Sequence, residues 1–242
     1  MKPEPGRIGS RDLLAIVLRR VVKVFRAEWP FLLILALLIF VPIGFLEALM
    51  GQLEADEISP ALGLVVVTLV IGALIGEVLY SGAVAALLAR TPAGERPSIT
   101  DLVRELAWGR LIAADILFSV LVVIGLVLLI APGIVFLAWF AFLAPVIEIE
   151  DRRLRDSFRR SRELVRGRFW IVLAAVLGVT LASEVVVEGM VDLTHWLFGE
   201  ALLPEWLAEA GGDVLTNPPY AVVLVLLAVE LMRERGETPE HA

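Results

Sequence analysis

All 21 lysines and arginines fall in four clusters, and the long apolar stretches between the clusters hold none. The clusters run from Lys2 to Arg26, Arg90 to Arg110, Arg152 to Arg168, and Arg233 to Arg235. At the opposite ends of the apolar stretches stand acids alone: Glu54, Asp56 and Glu57 in one segment, and Asp192, Glu200, Glu205, Glu209 and Asp213 in another. Basic residues next to membrane spans stay on the cytoplasmic side, so this sorting predicts a membrane protein and gives its topology.

Composition agrees. The chain is 59% hydrophobic, with a mean hydropathy of +0.85, against roughly 45–50% apolar residues in soluble domains. A span needs about 20 mostly apolar residues. The sequence supplies six such runs, at about 29–50, 61–89, 111–131, 133–149, 169–190 and 214–232. The Ala131-Pro132-Gly133 turn signal separates the third from the fourth. The expected fold is therefore all-α, a six-span bundle in the cytoplasmic (inner) membrane of a prokaryote, with both termini inside. One membrane bundle is expected to use up the length, with the first span kept as a signal anchor and a disordered tail over 236–242. The net charge of -7 comes from the outer acids and does not point to nucleic acid. The lack of cysteine excludes disulfides and thiolate metal sites.

The basic segments at about 10–28, 100–110 and 151–168 read as cytoplasmic interfacial helices. Ser10 is the expected N-cap of the first, and Leu14, Val17, Val21 and Val24 point away from its basic stripe. Asp151 is the expected cap of the third, with Leu154, Phe158 and Val165 as a narrow apolar stripe. Arg19, Arg20, Lys23 and Arg26 in the first, and Arg155, Arg159, Arg162 and Arg166 in the third, are the expected contacts to anionic lipid headgroups. Each basic segment closes on an arginine and a tryptophan before a span, which suggests three degenerate helix–span–span units. The apolar stretch 193–212 is expected on the outer membrane surface or as a cap on the bundle.

Pro132, Gly133, Pro145, Glu150, Arg160, Ser161, Gly167 and Trp170 form a recognisable set. With these residues the stretch 131–176 resembles the YciC-like inner-membrane proteins and the related family named after the membrane domain of glycerophosphoryl diester phosphodiesterase. The ending Met232-Arg233-Glu234-Arg235 is similar to that family's last-span exit, although Ala228, Val229 and Glu230 stand where aromatic residues are expected. The resemblance implies a six-span membrane fold. It does not imply a hydrolase, because the phosphodiesterase chemistry belongs to a separate soluble barrel.

Ionisable residues inside a membrane are costly and are candidates for function. Glu77 lies in the middle of the second run, with no basic residue at its depth. Gly72, Gly76 and Ala83 beside it form a small-residue stripe suited to close helix packing, with the second span central. Glu184, Glu188, Asp192 and His195 fall within roughly 80° on one helical face, and carboxylates with an imidazole are metal-ligand types. Glu47 could join them from the first span. Asp115 and Glu230 are expected to pair with Arg110 and Arg233.

Three functions follow. A non-enzymatic membrane protein that organises lipid or partner proteins, with no cofactor, is the first. A cation or proton-coupled transporter using Glu77 and the Glu184/Glu188 face is the second. An outer-face enzyme with a divalent metal on Glu184, Glu188, Asp192 and His195 is the third.

Overall fold

The computed structural model describes residues 9–51, 76, 78–88, 98–199 and 201–236. Among these the chain is all-α: α1 (Ser10–Gly51), α2 (Val78–Leu88), α3 (Ile99–Glu105), α4 (Trp108–Leu128), α5 (Ile130–Phe140), α6 (Leu143–Glu150), α7 (Leu154–Val165), α8 (Phe169–Phe198) and α9 (Leu202–Glu234). Four stretches are long and apolar enough to cross a membrane: Asp12–Phe45, Ala131–Glu150, Phe169–Phe198 and Leu202–Glu234. The expected span over 111–131 falls on the 21-residue α4, and most of that over 61–89 lies outside the described residues, as do Glu77 and Gly72.

α1 is one unbroken helix of 42 residues, about 63 Å at 1.5 Å per residue. The expected split into an interfacial helix over 10–28 and a separate span is absent, although Pro30 and Pro42 both lie inside it. The reason is packing. Val17 is buried, and Val21 and Val24 rest on the same core with Leu13 and Phe25, so three of the four residues of the expected lipid-facing stripe meet protein, while Leu14 is exposed.

The second basic segment is also built differently. α3 ends at Glu105, Leu106 is extended, and α4 starts afresh at Trp108. Among the described residues α7 is the one discrete basic helix longer than seven residues, so the three basic segments differ in their helical build.

α9 is the central helix among the four long ones, with 78% of its apolar window buried against 11% for α8. Its small residues let neighbours approach. A Cβ on Gly44 of α1 would lie 2.7 Å from the Ala210 backbone nitrogen, and one on Gly212 would lie 2.9 Å from Val187 of α8. At the same end Trp206 Nε1 donates to the Val41 carbonyl at 2.9 Å and meets Phe45 edge-on.

The stretch 193–212 is helical, and its large apolar side chains Leu193, Trp196, Leu197, Phe198, Leu203 and Leu207 are exposed. It is the helical continuation of α8 and α9, broken only by the short turn after Phe198.

α2 packs on α1 through Tyr80, whose hydroxyl donates to the Leu32 carbonyl at 3.0 Å. Gly76 faces Ile43 with no room for a Cβ, and Ala83 is buried. Between α4 and α5 the turn is a single extended residue, Leu129, and Pro132 sits in the first turn of α5, where no donor is needed. A Cβ on Gly125 would meet the Gly133 backbone at 2.8 Å, so these glycines set the spacing of the hairpin.

Candidate functional site

The fourth apolar run is a broken helix. α5 stops at Phe140 and α6 begins at Leu143. Pro145 lies in the first turn of α6 and has no N–H to give to Ala141, so it ends the upstream helix and starts the next. The exposed backbone at the break is met by one side chain. Ser161 Oγ on α7 donates to the Trp139 carbonyl at 2.8 Å and accepts from the Phe142 N–H at 3.3 Å. Irregular backbone at a span is tolerated where protein supplies such partners. Ser161→Ala is expected to lower stability by about 1–3 kcal/mol, the usual cost of orphaning buried polar groups, read as a lower midpoint of unfolding in detergent.

Ser161 can do this because α7 is docked on the bundle. Its buried face holds Ser157, Arg160, Ser161, Leu164 and Val165, with Leu154 and Phe158 half-buried. The expected stripe of Leu154, Phe158 and Val165 is thus part of a wider, partly polar face turned toward the protein. Asp151 does not cap α7. It closes α6 in the left-handed region at φ 47, and Arg110 donates to its carboxylate at 2.5 Å.

A collar of ion pairs fixes the end of the bundle where α6 ends, α8 begins and α9 ends. Arg160 pairs with Glu150 at 2.9 Å, both largely buried, and Arg152 pairs with the same carboxylate. Arg168 at the start of α8 meets Glu234 at the end of α9 at 2.7 Å, again with both side chains nearly covered. Arg20 reaches Glu230 at 3.1 Å, and Arg233 lies 3.8 Å from it. Arg20 is therefore a bridge from α1 to α9 as well as a member of the basic stripe.

Arg235 donates to the carbonyls of Glu163 and Leu164, the exposed acceptors at the end of α7. Burial, and then the nearby Arg160, lower the pKa of Arg235 from its ordinary value. Glu148, 2% exposed, accepts the Ala107 N–H at 2.8 Å and so caps the start of α4.

Held by this collar, α7 turns Arg155, Arg159, Arg162 and Arg166 outward, all exposed. Arg159 lies 3.7 Å from both Asp156 and Glu163. Arg162 stacks on Trp139, 4.3 Å from the ring centroid. Together with Glu163, Gly167, Val135 and Phe169, three of these arginines and Trp139 line an open basin of about 750 Å³. Gly167, at φ 89, makes the turn that brings α8 alongside, and Trp170 is exposed beyond it. On α1, Arg19, Lys23 and Arg26 are exposed as well.

A second polar region lies between α8 and α9. A cleft of about 480 Å³ is lined by Glu184, Glu209, Asp213, Thr180, Ser183, Thr216, Asn217 and Tyr220, with Phe118, Leu137 and Val187. The expected grouping along α8 is thereby changed. Glu184 faces acids of α9, Glu188 and Asp192 are exposed, and His195 is half-buried near the helix end. Among the described residues no three His, Asp or Glu side chains gather as a metal site. Glu47 lies on α1, and its side chain is outside the described set.

Asp115 is likewise not the partner of Arg110, which is engaged with Asp151 and the Arg152 carbonyl. It is 4% exposed and lines a cavity of about 70 Å³ with Ser81 and Tyr220. Phe118, Leu137 and Tyr220 border both this cavity and the cleft.

Neither a protein-family model nor a solved structure matches the chain.

Proposed function

We propose that the chain is a non-enzymatic multi-pass membrane protein that gathers anionic phospholipid at the cytoplasmic face of the membrane. The observation that carries this reading is the rigid outward fan of arginines on α7, mounted on a buried ion-pair collar beside exposed aromatic residues. A basic helix merely attracted to lipid needs no such mounting. Each basic residue near an anionic surface contributes about 1 kcal/mol, and Arg19, Lys23 and Arg26 would add to the field. Six spans with both termini inside would place all of these at one leaflet, as in the membrane-domain family that stretch 131–176 resembles.

Lipid analysis of the purified chain tests the reading. Anionic phospholipid should copurify in excess over its share of the host membrane. Copurified lipid that mirrors the bulk membrane would overturn it.

The α8–α9 cleft favours a second reading, a cation or proton-coupled transporter. Glu184, Glu209 and Asp213 give it an acidic lining, and Tyr220 stands between it and the Asp115 cavity. In this reading Glu77 would be a further relay. Proton flux into proteoliposomes should then be present and lost in Asp115→Asn, and equal flux in empty liposomes would dismiss it.

A further inference from the structure

We infer that the basin between α5, α7 and the start of α8 is a site for one phospholipid, a phosphodiester bearing a glycerol headgroup. The inference rests on the lipid reading above and gives it a ligand. The lining carries three guanidinium groups against one carboxylate, so it favours a net negative headgroup over a zwitterionic one. Arg159 is already drawn between Asp156 and Glu163, whereas among the described residues Arg162 and Arg166 form no ion pair. Arg162 on α7 and Arg166, the residue that caps its C-terminus, stand four residues apart, a spacing of roughly 6 Å that lets one phosphate take a hydrogen-bonding fork from each.

Stacking on Trp139 holds the Arg162 plane in place. Glu163, about half-exposed on the same rim, accepts hydrogen bonds and supplies none when ionised. It therefore suits a headgroup with hydroxyl donors and opposes one with a second negative charge.

The remaining walls distinguish a lipid from a free phosphate. Val135 lies on α5 four residues before Trp139, about 6 Å further along the helix from the charged rim, and Phe169 opens α8 on the same basin. A charged rim above an apolar floor matches an amphiphile whose acyl chains continue down α5 and α8.

The test uses the full chain in mild detergent with defined lipids, read by native mass spectrometry. Dioleoyl phosphatidylglycerol should remain bound at one per chain, and dioleoyl phosphatidylcholine should be retained at least tenfold less. Arg162→Gln with Arg166→Gln should lower phosphatidylglycerol retention at least tenfold, while Arg104→Gln on the exposed face of α3 should not. Both replaced arginines are exposed, and an unchanged thermal midpoint will show that the fold survives; Arg162→Lys, which keeps the charge but not the fork, is the milder variant and should give a partial loss. Glu163→Gln should raise retention of phosphatidic acid relative to phosphatidylglycerol several-fold.

Equal retention of phosphatidylglycerol by the parent and the double variant overturns the site and leaves the lipid reading standing. Displacement of the lipid by millimolar inorganic phosphate also overturns it, since the site would then take phosphate alone. A parent chain that retains none of the phospholipids offered sinks both.

Discussion

Replacing Glu150 with alanine is expected to cost about 3–5 kcal/mol, the range for breaking a buried ion pair from one side. Glu150 takes both Arg160 and Arg152, and the Arg160 side chain is only 7% exposed. Removing the carboxylate leaves that guanidinium held in a place chosen for it and strips away its main counter-charge. α7 should then loosen, and the Ser161 bridge to the α5–α6 break should loosen with it. Denaturant unfolding in detergent micelles, followed by helical circular dichroism, measures the loss. The double replacement Glu150→Leu with Arg160→Met should recover most of it, because an apolar pair of similar bulk removes the buried charge altogether. A single replacement that costs under about 1 kcal/mol, the value of an exposed pair, would show that the site is wet.

The second large effect is steric. Gly44→Val should cost about 3 kcal/mol, at the upper end for overpacking a close helix contact. Even a single Cβ at this position would stand 2.7 Å from the Ala210 nitrogen and 2.8 Å from its Cα. Those are backbone atoms and cannot rotate aside, so α1 and α9 must separate. Ala210→Gly removes only the 2.9 Å contact with the Ala210 side chain and should rescue little. Gly178→Val makes a useful comparison, since a Cβ there meets nothing within 4 Å. The midpoint of thermal unfolding should fall for Gly44→Val and should move far less for Gly178→Val.

Much of the helical plan is legible in the sequence, because apolar run length and basic clustering are properties of single segments. The apolar parts of the four long stretches follow from them, although α1 and α9 begin well before the expected spans and 131–150 is divided into α5 and α6. Partnership is harder to read. The cluster Arg152–Arg168 looks uniform, yet Arg160 and Arg168 turn inward to Glu150 and Glu234, while Arg159, Arg162 and Arg166 turn outward. Helical phase on α7 could have singled out Arg160, which shares a face with Ser157, Ser161 and Leu164.

The break at Ala141–Phe142 also had a signal, the missing donor of Pro145, which is masked by the continuous apolar run around it. The cleft had none. Glu184 shares a cleft with Glu209 and Asp213 only because α8 and α9 pack against each other, and no local pattern on α8 reports that. The head of α1 is equally ambiguous, since an apolar stripe over Val17, Val21 and Val24 suits lipid and protein alike.

The collar also imposes an order of assembly. Glu150 and Arg160 are ten residues apart and can meet as soon as α7 has emerged from the ribosome. Arg20 must wait for Glu230, 210 residues later, and Arg168 for Glu234, 66 residues later. Both late partners sit on the last helix, as does the packing surface for Gly44. Until α9 is in place, Arg20 lacks Glu230, Arg168 lacks Glu234 and Gly44 lacks its packing surface. These contacts are expected to close last, and a chain stopped before α9 should be cut by protease faster than the full chain.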